Sequence, residues 1–70
     1  MVKKIINEIT SILYKTKPNE IDEHKLIYRT NIGIIEVEIR QKSVFVITDY
    51  FKFLTNDKFL YKKLSKYLYN

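Results

Sequence analysis

The residues best placed to do chemistry in this 70-residue chain lie near its C-terminus, where Phe59, Lys62, Lys63, Lys66 and Tyr69 cluster at near-helical spacing. On a helix turning about 100° per residue they share one face, three cations flanked by two aromatic rings. Such a face can track a phosphate backbone and stack bases, or grip an acidic groove on a protein. A plain solvated helix face accounts for the same lysines, so both readings stand at this level. Bidentate phosphate or guanine recognition favours Arg, whose planar fork matches those groups. Lys supplies point charges instead, so any nucleic-acid contact here is expected to be non-specific and strongly salt-dependent.

Other chemistry is poorly served. His24 is the single histidine and lies close to Glu20, Asp22 and Glu23. Zinc requires three or four convergent ligands, and one imidazole among loop carboxylates is a poor set. As a general base His24 has no identifiable nucleophile, since Ser11, Ser43 and Ser65 sit in no motif. The lone Gly33 excludes a glycine-rich phosphate loop. The absence of cysteine excludes a disulfide framework and a thiolate metal site. The chain is therefore expected to be no enzyme and to use neither a metal nor a cofactor.

Composition bears on how those lysines are weighed. Ile, Lys, Asn, Tyr and Phe supply 37 of the 70 residues and Ala none, the signature of a very A/T-rich genome. Part of the basic charge and part of the aromatic content follow from that bias. The net charge of +5 is also uneven: residues 1–17 carry four Lys and one Glu, residues 18–40 three bases and five acids, and residues 41–70 six Lys and two Asp. Basic ends around an acidic middle suit an anionic partner, or simply solubility. A hydrophobic fraction of 46% excludes a disordered tail. The start MVKKIINEIT lacks the long apolar run of a signal peptide, and nothing approaches the roughly 18 apolar residues of a membrane span. The expectation is one small domain over residues 1–70, located in the cytoplasm of a host or infected cell.

The elements that must position these residues can be read from periodicity. Val2, Ile5, Ile6, Ile9, Ile12 and Leu13 recur as one helix face, with Lys15 and Lys17 at its cation-favouring end and Pro18 as its stop. This predicts a helix over about residues 3–16. A polar loop follows, then three segments rich in β-branched and aromatic residues: Lys25–Thr30, Ile34–Arg40 and Ser43–Tyr50. The middle one alternates, Ile35, Val37 and Ile39 against Glu36, Glu38 and Arg40, as a half-buried strand does. Asn31-Ile32-Gly33 and Gln41-Lys42 are short enough to make all three strands antiparallel neighbours. Glu36, Glu38 and Arg40, with Lys25 or Arg29 opposite, read either as cross-strand ion pairs or as an acidic strip for a basic partner.

Val44, Phe45, Val46 and Ile47 break the alternation. That strand is either covered on both faces or meets a partner with one of them, and Val44 and Val46 are the expected sheet-face interface, with a homodimer as one outcome. Asp49–Leu54 either extends the strand or forms a packed turn. Thr55-Asn56-Asp57 signals a helix start, and Leu60, Tyr61, Leu64, Tyr67 and Leu68 form its apolar stripe over about residues 56–68. The expected fold is α+β, in the order α-β-β-β-α, a three-stranded antiparallel meander with two helices packed on one face. Its expected core is Ile5, Ile9, Ile12, Leu13, Ile35, Val37, Ile39, Leu60, Leu64 and Leu68.

That order resembles the double-stranded-RNA-binding domain, with local echoes in Asn7-Glu8 and in Lys62-Lys63-Leu64-Ser65-Lys66. The resemblance implies that Lys62, Lys63 and Lys66 grip phosphates across a groove. The chain departs from the family in three ways: its lysines lie mid-helix rather than at the helix start, the small packing residues are missing, and Thr30-Asn31-Ile32-Gly33 replaces the Gly-Pro-His-type loop. In size, order and compositional bias the chain is also similar to phage-encoded inhibitors such as anti-CRISPRs, which implies a protein or protein–nucleic-acid complex as partner. The leading expectation is a non-enzymatic binding protein that docks on a macromolecular partner, as a small phage, viral or mobile-element inhibitor or regulator. The alternative is a nucleic-acid-binding module built on the C-terminal helix.

Overall fold

The computed structural model describes residues 2–69, apart from the side chain of Val2. The Val2 side chain of the predicted apolar stripe therefore lies outside what is described. Helix α1 spans Val2–Lys15, followed by strands β1 (Glu20–Asp22), β2 (Lys25–Thr30), β3 (Gly33–Arg40), β4 (Ser43–Ile47) and β5 (Lys52–Thr55), and helix α2 (Lys58–Tyr69). The architecture is α+β, with one antiparallel sheet in sequential order β1-β2-β3-β4-β5.

The sheet has five strands rather than the three expected. Both additions are edge strands whose sequences hide them. β1 is three exposed residues, Glu-Ile-Asp, too short and too polar to alternate. β5 places Phe53 and Leu54 on opposite faces, so its apolar pair reads as a turn rather than as a strand. The segment Asp49–Leu54 is therefore part loop and part fifth strand, and β4 ends at Ile47 instead of continuing to Tyr50.

Three hairpins use two-residue loops. Two of them place a non-glycine residue in the left-handed region, Glu23 at φ 53° and Lys42 at φ 60°. In the third, Asn31-Ile32, Thr30 pairs with Gly33, whose φ of 112° is a conformation that glycine alone adopts readily. The β4–β5 loop is closed by Thr48, whose Oγ1 accepts from the Tyr50 and Phe51 amides and donates to the Phe51 carbonyl.

The core lies between the helices and one face of the sheet. Leu26 and Tyr28 of β2, Ile35, Val37 and Ile39 of β3, and Val44 and Val46 of β4 join Ile9, Leu13, Leu60 and Leu64 of the helices in a single buried cluster. Ile12 and Leu68 pack at its margin, whereas Ile5, expected inside, is 41% exposed. Ile5 instead borders a shallow apolar groove of about 220 Å³ shared with Ile9, Ile32, Ile35, Thr48, Tyr50 and Phe51. Burying a Leu such as Leu64 is worth about 2–5 kcal/mol against truncation to Ala, so this cluster dominates the stability of so small a chain.

Candidate docking surfaces

Among the surfaces left open once the core is assembled are one face of α2 and the outer face of the sheet. Helix α2 begins at a capping aspartate. Asp57 Oδ1 accepts from the amides of Phe59 (3.0 Å) and Leu60 (3.1 Å), two donors that the first turn would otherwise leave unpaired. Its second oxygen, Oδ2, accepts from the Tyr14 hydroxyl of α1 at 2.6 Å. That hydroxyl first, and the Leu60 amide next, hold the Asp57 carboxyl below the usual carboxylate range.

The opposite link runs from α2 to α1. Lys63 Nζ donates to the carbonyl oxygens of Leu13 (2.9 Å) and Tyr14 (2.5 Å), in the last turn of α1. Those carbonyls lack intrahelical partners and lie at the negative end of the helix dipole, where a cation is favoured. Lys63 is therefore removed from the predicted docking set: its ammonium is engaged in joining the two helices and is not free for a ligand.

The other four predicted residues do share one exposed face. Phe59 is 80% and Tyr69 67% exposed, and Lys62 and Lys66 lie between them along the helix. Lys58, absent from the predicted set, is also exposed and falls on the same arc, one helical repeat before Lys62. Among the described residues the two ion pairs are Arg29–Glu20 and Arg40–Glu38, so none of these lysines is neutralised by an acid. Lys58 also borders a hollow of about 370 Å³ with Lys42, Asn56 and Tyr61, which carries the basic surface to the β3–β4 turn.

The sheet-face prediction requires correction. Val44 and Val46 are fully buried in the core and cannot form an interface. Their neighbours Phe45 and Ile47 point the other way, where the register places them beside Leu54 and Lys52 of β5 and beside Glu38 and Glu36 of β3. The parity was available in the sequence. A two-residue turn at Gln41-Lys42 sets Ile39 opposite Val44 and Val37 opposite Val46, and directly opposed residues share a face. Phe45 and Ile47 are thus the interface candidates that sequence reasoning missed.

No described residue of this outer face is buried. It carries Ile27, Ile34, Phe45, Ile47 and Leu54 among charged neighbours, with Ile34 47% and Leu54 53% exposed. The Arg40 guanidinium lies 4.2 Å from the centroid of the Phe45 ring while its Nε contacts Glu38 at 3.1 Å. Lys25 stands opposite Glu38 in the register but makes no ion pair among the described residues, and Arg29 turns to Glu20 of β1 at 2.7 Å. Glu36 is flanked across the strands by Ile27 and Ile47.

His24 sits in the exposed β1–β2 turn, and among the described residues no three His, Asp or Glu side chains converge as a metal site would require. A cavity of about 320 Å³ beside the end of α1 is lined by Tyr28, Arg29, Thr30, Lys17 and Asn19 among others. Burial pushes the Tyr28 phenol well above its usual range, and its hydroxyl has no protein hydrogen-bond partner among the described residues. No described helix is long and apolar enough to cross a membrane.

Comparison with protein-family models, with curated proteins and with solved structures finds no match to this chain. The structure departs from the double-stranded-RNA-binding domain in two respects. The strand count differs from the α-β-β-β-α order that the resemblance rests on, and Lys63, one of its three phosphate-gripping counterparts, is occupied at α1.

Proposed function

We propose that this chain is a non-enzymatic binding protein that acts by docking on a macromolecular partner through the exposed face of α2. The observation that carries the reading is the exposure of Phe59 and Tyr69, 80% and 67%, on either side of Lys62 and Lys66, which make no ion pair among the described residues. Large aromatics left in water are costly and gain most when a partner covers them, and aromatic anchors ringed by polar groups are the usual energetic centre of an interface. An inhibitor or regulator is the form this takes when α2 occludes a working surface of the partner.

The direct test places a photo-crosslinking benzoylphenylalanine at position 59 and irradiates cells that make the protein. A discrete adduct from position 59, absent from a control with the same group at the exposed Asn31, is the expected result. Equal or no crosslinking from the two positions would remove α2 from the account.

A second reading is favoured by one observation, the row of apolar side chains on the outer sheet face, Ile34 and Leu54 exposed and Ile27, Phe45 and Ile47 half-buried. Contiguous apolar patches on isolated domains commonly mark interfaces. On this reading Phe45, Ile47 and Leu54 form a seam with another protein or with a second copy of the chain.

A further inference from the structure

We infer that the α2 face takes single-stranded nucleic acid, its lysines on the phosphates and Phe59 and Tyr69 against unstacked bases. The inference rests on the reading of α2 as the docking face and names the partner of that face.

Charge is the first argument. Helix α2 carries Lys58, Lys62, Lys63 and Lys66 and no acid at all. Lys63 is consumed at α1, which leaves Lys58, Lys62 and Lys66 in line at successive i, i+4 positions, all exposed and none in an ion pair among the described residues. A solvated helix face commonly interleaves Glu with Lys at this spacing, because like charges four apart repel. A polyanion laid along the row turns that repulsion into attraction. Lys42 extends the row past the start of α2.

The aromatic rings choose among polyanions. Phe59 and Tyr69 are ten positions apart on a continuous helix, a rise of about 15 Å, enough to bracket a few nucleotides. A base offers a flat ring to each of them, which an acidic peptide does not. A duplex hides its base faces in the stack, so exposed rings favour a single strand. Lysines without arginine suit phosphates held as point charges, with no reading of base identity. Apart from Asp57, which caps α2 and has both oxygens engaged, the acids lie outside that helix: Glu8 in α1, Glu20, Asp22 and Glu23 at the β1 edge, Glu36 and Glu38 on the outer sheet face and Asp49 between β4 and β5. They repel a strand from those surfaces and leave α2 as its path.

The test is fluorescence anisotropy of the full chain with a labelled oligonucleotide of about 20 nucleotides and with its duplex, at salt between about 50 and 200 mM. The single strand is expected to bind at least about tenfold tighter than the duplex, with log affinity falling by about 0.7 per engaged phosphate for each tenfold rise in salt. Lys62→Glu with Lys66→Glu should weaken binding more than about tenfold and flatten that slope, because two phosphate contacts become repulsive. Lys3→Glu with Lys4→Glu, an equal change in net charge elsewhere, should weaken it far less. Phe59→Ala with Tyr69→Ala should weaken the single strand about tenfold or more and leave the salt slope unchanged, the mark of lost stacking. Thermal melts of each variant separate lost binding from lost folding.

Equal affinity for strand and duplex, an aromatic variant without effect, or no binding at the lowest salt would each overturn the inference. A polyglutamate peptide that binds as tightly as the oligonucleotide, and with the same dependence on Phe59 and Lys62, overturns the nucleic-acid assignment while leaving α2 as the docking face. The crosslink from position 59 decides that reading separately.

Discussion

Neighbouring lysines on α2 have opposite duties, and the difference is measurable. Lys63 closes the end of α1 through two carbonyls, so Lys63→Met should lower stability by about 1 kcal/mol. Lys62 makes no ion pair among the described residues and faces Lys58 and Lys66 across one turn. Lys62→Glu converts two like-charge pairs into opposite-charge pairs and should raise stability by about 1 kcal/mol at low salt. At this chain length each change moves the melting temperature by about 4–8 °C. Two shifts of the same sign in thermal melts would contradict the assigned roles. Asp57 adds an acid dependence. Its folded pKa is depressed, chiefly by the Tyr14 hydroxyl, so its contribution is complete above the unfolded value of about 3.9 and is lost as pH falls through the folded value. Asp57→Ala should therefore cost about 1 kcal/mol at neutral pH, a deficit that narrows in urea titrations carried below about pH 3.9. A deficit that is constant with pH would mean that the carboxylate charge is irrelevant to the cap.

At the scale of elements, β4 separates core from surface residue by residue. Val46→Asp puts an unpaired carboxylate where the side chain is fully buried, and the chain should fail to fold. Ile47→Lys, one position on, places its charge on the open face beside Lys52 and Glu36 and should melt cooperatively within a few degrees of wild type. Circular dichroism melts of the pair test the register, and a folded Val46→Asp variant would reverse the assigned faces. The two helices are joined at their ends as well as through the core. Tyr14 reaches the cap of α2 and Lys63 reaches the last turn of α1, so each helix supplies a partner for the other's terminal groups. This lock draws Lys63 away from the solvent face and holds the remaining row in place.

The whole molecule is small and tightly drawn, with a radius of gyration of 11.0 Å, matching the value of about 11 Å expected for a compact chain of this length. A standard one-sided protein footprint of about 800 Å² would take roughly a sixth of its 5147 Å² surface, so a single face suffices for docking. Its charge is segregated in the chain, with an acidic stretch over β1–β3 and a basic one from β4 to α2. If the outer sheet face is a seam between copies, sedimentation velocity at micromolar concentration should show a dimer. Ile47→Lys with Leu54→Lys should then convert it to a monomer without loss of helix or sheet signal. A wild-type monomer across that range would dispose of the self-association version and leave α2 as the principal surface.

Local periodicity was enough for much of this. Both helices, the three central strands, the alternation of β3 and the capping role near Asp57 are legible because each depends on side chains a few positions apart. So is the shared face of Phe59, Lys62, Lys66 and Tyr69, since helix geometry alone sets it. The edge strands are not legible, because β1 and β5 exist through pairing with distant partners and not through any pattern of their own. The inward turn of Val44 and Val46 is not carried by β4 alone, whose two faces are both apolar, but it is legible once the two-residue Gln41-Lys42 turn sets its register against the alternating β3. The duty of Lys63 depends on where α1 ends, some fifty residues away in the chain. The sequence determines what each segment prefers; only the tertiary structure decides which lysine is spent inside the fold and which remain outside it.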